Sequence, residues 1–269
     1  MSKYVREKQS FFSKAVYDRP YNMHFFHYHD DNEIYYLESG RTKYFIEDEL
    51  YFLNPGEMIF VPKRVFHKTN SEDNAVAKRI LLSFDDEFID EEYKKYIDEL
   101  TKNKHITISS KHHNKITEIL TKIENEDSKK EKDYEAMQKL YFNQLLVLIS
   151  RYRSHKNEIE FSRSYSYIQD IAKYISSNVE SDLSLEFLAY KFSISPNHLS
   201  KQFKKITGVG LNDFINISRI TAAEKLLVST NMSITEISSA CGFNDSNYFA
   251  SVFKKFKGIT PKRYSLINK

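Results

Sequence analysis

The sequence predicts an α+β chain of two domains: an N-terminal antiparallel β-barrel followed by helices, then an all-α domain carrying two helix-turn-helix units. Three observations predict it. Short aromatic and β-branched runs, separated by turn residues, fill residues 21–84. Apolar positions at helical spacing take over after Asp85. An internal repeat with helix–turn–helix anatomy occupies residues 165–269. With 269 residues the chain is long enough for two cores. The expected division is residues 1–155, with the barrel at about 10–85 and helices at 86–153, and residues 160–269.

The β texture comes first. His24-Phe25-Phe26-His27-Tyr28, Glu33-Ile34-Tyr35-Tyr36-Leu37, Lys43-Tyr44-Phe45-Ile46 and Met58-Ile59-Phe60-Val61 read as strands. Asp30-Asp31-Asn32, Ser39-Gly40 and Asn54-Pro55-Gly56 punctuate them. Many short strands at this spacing suit a small barrel or sandwich. Residues 86–100, 110–126 and 131–153 then read as helices. The last repeats Tyr134, Met137, Tyr141, Leu145, Leu148 and Tyr152 every three or four residues, with Leu140, Gln144 and Leu146 widening the face. Such a face can pack on its own barrel, pair with a second copy of the chain, or both, and a homodimer is expected. Ser154-His155-Lys156-Asn157-Glu158 is the expected linker.

The repeat follows. Phe203-Lys204-Lys205-Ile206-Thr207-Gly208 recurs as Phe253-Lys254-Lys255-Phe256-Lys257-Gly258, and the segment from Ser184 corresponds to that from Ser233. The offset is 50 for the first pair and 49 for the second, so the later copy holds one extra residue in its turn. Ser184 and Ser233 suit helix N-caps, Pro196 suits the first helical position after Ser195, and Asn244 or Asp245 can cap in the second copy. Gly208 and Gly258 suit left-handed C-caps. The two units are expected at about 184–206 and 233–257, joined by one helix from Leu211 to Val228.

Geometry then points to DNA. A recognition helix fits the major groove and reads base edges from its N-terminal half, while basic side chains hold phosphates. With Leu199, Phe203 and Ile206 inward, the first unit turns Asn197, His198, Ser200, Lys201, Lys204 and Lys205 outward. With Tyr248 or Phe249, Val252, Phe253 and Phe256 inward, the second presents Ser246, Asn247, Ala250, Ser251, Lys254 and Lys255. Residues 165–269 carry 13 Lys+Arg against 8 Asp+Glu, a balance of +5, while residues 1–164 stand at −2. The basic half suits a polyanion. A helical bundle with solvated lysine faces is the competing reading; duplicated caps and duplicated FKKxxG endings disfavour it.

The run from Ile234 to Tyr264, with its Gly242-Phe243 turn, Tyr248-Phe249 pair, Phe253-Lys254-Lys255 and Gly258-Ile259-Thr260-Pro261-Lys262-Arg263-Tyr264 ending, resembles the signature of the AraC/XylS family of bacterial regulators. The resemblance covers about residues 165–267. It implies DNA binding by both units, usually at promoters and often as an activator. It also implies that Asn197, Ser200 and Lys201, and Ser246, Asn247 and Ser251, face bases. The second trio is short-chained, so that unit is expected to act more through phosphate positioning and DNA shape.

In the N-terminal half, His27, His29, Glu33 and Gly40, then Gly56, Pro62 and His67, resemble the cupin pattern, with Arg64 standing where cupins have glycine. A cupin-like barrel is a frequent sensing domain in the AraC/XylS family. Three imidazoles and a carboxylate can hold Mn, Fe, Ni or Zn. The favoured expectation is instead a pocket for a polar organic effector with no metal and no cofactor. His27, His29, Glu33, Arg64 and His67 would bond the effector, and Tyr35, with Phe26, Tyr28, Tyr44 and Phe60, would stack on it. Carbohydrate is the effector class the resemblance implies.

The single cysteine, Cys241, rules out an internal disulfide, and no apolar run suits a signal peptide or a membrane helix. The combined expectation is a cytoplasmic, non-enzymatic transcription regulator. Its expected partners are double-stranded promoter DNA, a small-molecule effector, a second copy of the chain and RNA polymerase. Two rivals remain: a regulator with no small-molecule effector, favoured by a barrel filled with its own side chains, and a metal-dependent cupin enzyme fused to a DNA-binding domain.

Overall fold

The computed structural model describes residues 11–17, 19, 21, 23, 26–71, 76–154 and 163–269. His24, Phe25 and most of the expected linker lie outside the described residues. Two antiparallel sheets form the N-terminal part. Strands β1 (Phe12–Val16), β2 (Asn32–Ser39), β5 (Met58–Val61), β7 (Lys78–Phe84) and β8 (His105–Ile106) build a five-stranded sheet in the order β1-β7-β2-β5-β8. Strands β3 (Thr42–Ile46), β4 (Glu49–Leu53) and β6 (His67–Ser71) build a three-stranded sheet in the order β4-β3-β6.

The period of two along each strand sorts the side chains into layers. Tyr35, Leu37, Tyr44, Ile46, Leu53, Ile59, Val61 and Leu81 fill the space between the sheets. The alternate residues Ile34, Tyr36, Met58, Phe60, Ile80, Leu82 and Phe84 face the other way, toward helices α1 (Lys94–Lys102), α2 (His113–Lys129) and α3 (Tyr134–Tyr152). That second face explains why β2, β5 and β7 read as continuous apolar runs rather than alternating ones. The outer face of the three-stranded sheet, through Phe45, Leu50 and Phe66, shares a core with the C-terminal helices. The order of layers is therefore helices, five-stranded sheet, three-stranded sheet, helices.

Three local expectations change. Residues 86–100 are not one helix: 3-10 turns at Asp86–Phe88 and Glu91–Tyr93 precede α1, because Asp85 caps the first turn and Ile89 is extended. His27-Tyr28 is not part of a strand; His27 makes an isolated antiparallel bridge to His67. On α3, Phe142, Leu145, Leu146 and Ile149 are buried against the chain's own sheet, while Leu140 stays 61% exposed and Gln144 is exposed.

The C-terminal part contains α4 (Arg163–Ser177), α5 (Leu185–Lys191), α6 (Pro196–Thr207), α7 (Leu211–Ser229), α8 (Ile234–Ala240), α9 (Ser246–Lys257) and α10 (Pro261–Asn268). Helix α7 is the hub: it packs against α4, α6, α8, α9 and α10. Phe203, Phe214, Phe249, Phe253 and Phe256 are fully buried around it. Burial of each such ring stabilises the domain by about 1.5–3 kcal/mol.

Candidate nucleic-acid interface and buried histidine site

Both helix-turn-helix units are built by local chemistry. Ser184 Oγ accepts from the Phe187 amide, and Ser195 Oγ from the His198 amide with Pro196 at the start of α6. Ser233 forms a full capping box: its hydroxyl accepts from the Glu236 amide at 3.2 Å while the Glu236 carboxylate accepts from the Ser233 amide at 2.7 Å. Asp245, not Asn244, caps α9. Each first helix closes in a Schellman motif. Ile194 N–H reaches Ala189 O and Ser193 N–H reaches Tyr190 O; Phe243 N–H reaches Ser238 O and Gly242 N–H reaches Ser239 O. The left-handed residue is Ser193 (φ +53°) in one copy and Gly242 (φ +77°) in the other. The extra residue of the second copy is thus Asn244, placed after the Schellman turn.

The recognition helices end alike, at Gly208 and Gly258, both with φ +79°. Leu199, Phe203 and Ile206 of α6, and Phe249, Val252, Phe253 and Phe256 of α9, are buried. Asn197, His198, Ser200, Lys201, Lys204, Lys205, Asn247, Ser251, Lys254 and Lys255 are exposed, and Ser246 is half-buried. The structure thus brings the residues of each unit together along one exposed helix face. Tyr248, which periodicity leaves as an alternative to Phe249, lies 55% exposed beside them. His198 stacks on Tyr167 of α4, and Lys255 pairs with Asp213 at 3.6 Å. Sequence reasoning passed over Tyr190, an 86% exposed aromatic on α5; its only signal was an aromatic on the polar side of a short helix.

In the N-terminal part, His27, His29, Glu33 and His67 come together, each no more than 3% exposed. One ring nitrogen from each histidine lies within 4.8 Å of the others. His29 Nδ1 donates to the Asp31 carbonyl at 2.6 Å, and its Nε2 faces the Glu33 carboxylate at 3.1 Å. His67 Nδ1 donates to the Val65 carbonyl at 2.9 Å. Tyr44 donates its hydroxyl to the other Glu33 oxygen at 3.2 Å. Burial works against charge on His29, yet the bond and charge of Glu33 and the Asp31 carbonyl outweigh it and raise its pKa. Burial would raise Glu33, but His29, with the nearby His67 and Arg79, holds its carboxyl down at about 2. Mutual hydrogen bonding and opposite charge thus favour the charged form of each partner against the cost of burial.

This donor set fits a divalent transition metal: backbone carbonyls fix the Nδ1–H of two imidazoles and so direct Nε2 of each as the ligating atom. The other expected contacts diverge. Arg64, with φ +63° where a glycine was expected, turns its guanidinium to Asp30 and Asn268 and stands half-exposed. Tyr35 bonds Thr42 between the sheets and packs on Tyr44. Phe26 and Tyr28 lie in the core shared with the C-terminal helices, and Phe60 faces α2 and α3. A separate cleft of about 510 Å³ lies between Glu47, Asp48 and Phe66 of the barrel and α4, α7 and Cys241; none of the expected effector residues lines it.

Residues 188–266 match the family model described as a helix-turn-helix domain, and residues 22–83 match that of the cupin domain. The HTH-type transcriptional activator RhaR of Escherichia coli K12 is 24% identical over 258 residues, spanning 94% of this chain and 92% of its own length. The chain belongs to the AraC/XylS family. It is a DNA-binding transcription regulator with a cupin-like N-terminal domain. Among solved structures, ToxT from Vibrio cholerae is 18% identical, covering 97% of this AraC/XylS-family chain and all of that one at a TM-score of 0.39. The C-terminal domain of the response regulator yesN from Fusobacterium nucleatum is 35% identical, covering 39% of this chain and 99% of that one at a TM-score of 0.36. Among the described residues, no helix is long and apolar enough to cross a membrane.

Proposed function

We propose that this regulator is switched by a small-molecule effector held in residues 1–155, and that residues 160–269 read DNA through the two recognition-helix faces described above. The observation that carries this reading is the closed polar cluster of His27, His29, Glu33 and His67, set in segments that also pack on the DNA-binding helices. Buried charge of this kind has a use when a ligand meets it. The effector is a polar metabolite, with carbohydrate as the class the family suggests. The protein works in the cytoplasm without catalysing a reaction, as a homodimer that uses the exposed Leu140 side of α3, and contacts RNA polymerase at promoters.

A second reading is favoured by the fixed Nδ1 atoms: the cluster holds a divalent metal ion. His27, His29, His67 and Glu33 would be its ligands, and the ion would supply fixed positive charge that ties the isolated His27 segment to β2 and β6. His29 would then give up its proton.

Thermal unfolding of the full chain against sugars, other polar metabolites and divalent ions, with and without chelator, tests both readings. Binding at a hundredfold excess over Kd adds about 2.7 kcal/mol of stability. A rise with one metabolite class, unchanged by chelator, is the expected result. A loss with chelator, restored by one ion and abolished in Glu33→Gln, would establish the second reading. No response to either would leave a regulator without an effector.

A further inference from the structure

The segments that turn histidines inward turn other side chains outward, onto the recognition helices. His27 and His67 exchange backbone bonds of 3.1 and 3.0 Å. Their neighbours Tyr28, Phe66 and Lys68 pack on the C-terminal helices instead, on the other side of the extended backbone around the His27–His67 bridge. Lys68 Nζ donates to the Gly208 carbonyl at 2.5 Å, and Gly208 is the C-cap of α6. Tyr28 donates its hydroxyl to the carbonyl of Lys257, the last residue of α9, at 3.3 Å. The Lys257 ammonium is fully buried: it lies over the Tyr28 ring at 3.8 Å and the Phe66 ring at 4.4 Å, and pairs with Glu224 of α7 at 2.7 Å. Phe66 also meets Phe256 edge-on.

Two short bridged segments of the barrel, at Tyr28 and at Phe66–Lys68, therefore hold the C-terminal ends of both recognition helices. Helix carbonyls there lack intrahelical partners, and donors with positive charge suit them. Within the DNA-binding domain the two helices are related through α7. The barrel adds a second, independent cross-link. The expected base-facing positions Asn197, Ser200, Lys201, Asn247 and Ser251 stay exposed, with Ser246 half-buried, so this contact leaves both recognition faces open. It acts on relative placement.

We propose that Tyr28, Phe66 and Lys68 are positioning residues for DNA reading, splinting the ends of α6 and α9 so that both units meet successive groove segments in one fixed relation. The proposal rests on the reading that both units engage DNA together.

The test uses the full chain, a duplex it selects from a random-sequence pool, and the same duplex with one groove segment scrambled. Affinities are measured at one salt concentration for the double variant Lys68→Met/Tyr28→Phe. The expected result is a loss of about tenfold or more on the complete duplex and less than about twofold on the scrambled one. Lys257→Met with Glu224→Gln, which alters the seam from the other side, should reproduce the split if the first variant folds poorly. Equal losses on both duplexes would make these residues merely structural and overturn the proposal. Unchanged affinity, or a gain on the complete duplex, would also overturn it. Wild-type protein that binds both duplexes equally would sink the two-unit reading itself and the splint with it, a failure visible before any variant is made.

Discussion

The two helix-turn-helix units come from one repeat, yet they solve the same turn differently. The second puts Gly242 at the left-handed position and opens α8 with a complete capping box. The first puts Ser193 at that position and caps α5 with Ser184 alone, which is itself tied to Asp182. The outward chemistry differs the other way. Of the expected base-facing positions, the first unit has Asn197, Ser200 and the long Lys201, while the second has Ser246, Asn247 and Ser251 and no long side chain. The comparison teaches that the better-capped unit carries the shorter outward side chains: on the proposed reading the second unit would position and the first would discriminate.

The largest effect that can break this contrast is at the turn. Gly242→Ala places a Cβ against the Val179 carbonyl oxygen and the Arg219 guanidinium at a positive φ, so chemical denaturation should show a loss of about 2–4 kcal/mol. A loss below about 1 kcal/mol would mean that the turn relaxes freely. On DNA, Asn197→Ala and Lys201→Ala should each relax preference at one base pair by about 1–3 kcal/mol in competition binding. Lys254→Ala and Lys255→Ala should instead weaken all sequences alike and lower the salt slope by about 1 each. If Asn247→Ala costs as much discrimination as Asn197→Ala, the division of labour is wrong. Loss of the cap in Ser233→Ala should cost about 1–2 kcal/mol and exceed the loss in Ser184→Ala, because Ser233 is half of a reciprocal capping box with Glu236 whereas the Ser184 hydroxyl is shared with Asp182, which also holds its amide. The smallest effect is a gain: Ser193→Gly relieves a left-handed serine and should stabilise the chain by about 0.5–1 kcal/mol in the same denaturation experiment.

Local signals made the C-terminal half legible. Caps, glycines and a 3.6-residue period act within a few residues, and they anticipated Ser184, Ser195 and Ser233 as caps and the burial of Phe203, Phe253 and Phe256. The barrel was legible in class but not in detail. Strands β1, β4, β6, β7 and β8 were not picked out from their own residues; β1, β6, β7 and β8 pair with positions far apart in the chain, whereas β4 closes a tight hairpin with β3. The resemblance to the cupin pattern placed His27, His29, Glu33 and His67 as a set, but not the direction of Arg64, whose left-handed backbone sends it outward. The seam between the halves was invisible. A buried lysine such as Lys257 is rare enough that composition argues against it, and Tyr28 and Phe26 read as pocket aromatics until the C-terminal helices were placed over them.

One buried atom offers a clock. Cys241 is the only cysteine of the chain, its side chain closes α8 against the cleft between barrel and α7, and burial pushes its thiol up to about 11. At neutral pH almost none of it is thiolate, so an alkylating reagent has little to attack while the halves stay together. The rate at which the unaltered protein is labelled therefore counts excursions that uncover Cys241. Slower labelling in the presence of DNA or of an effector would time, on the native sequence and without any introduced probe, how firmly each one keeps the regulator shut.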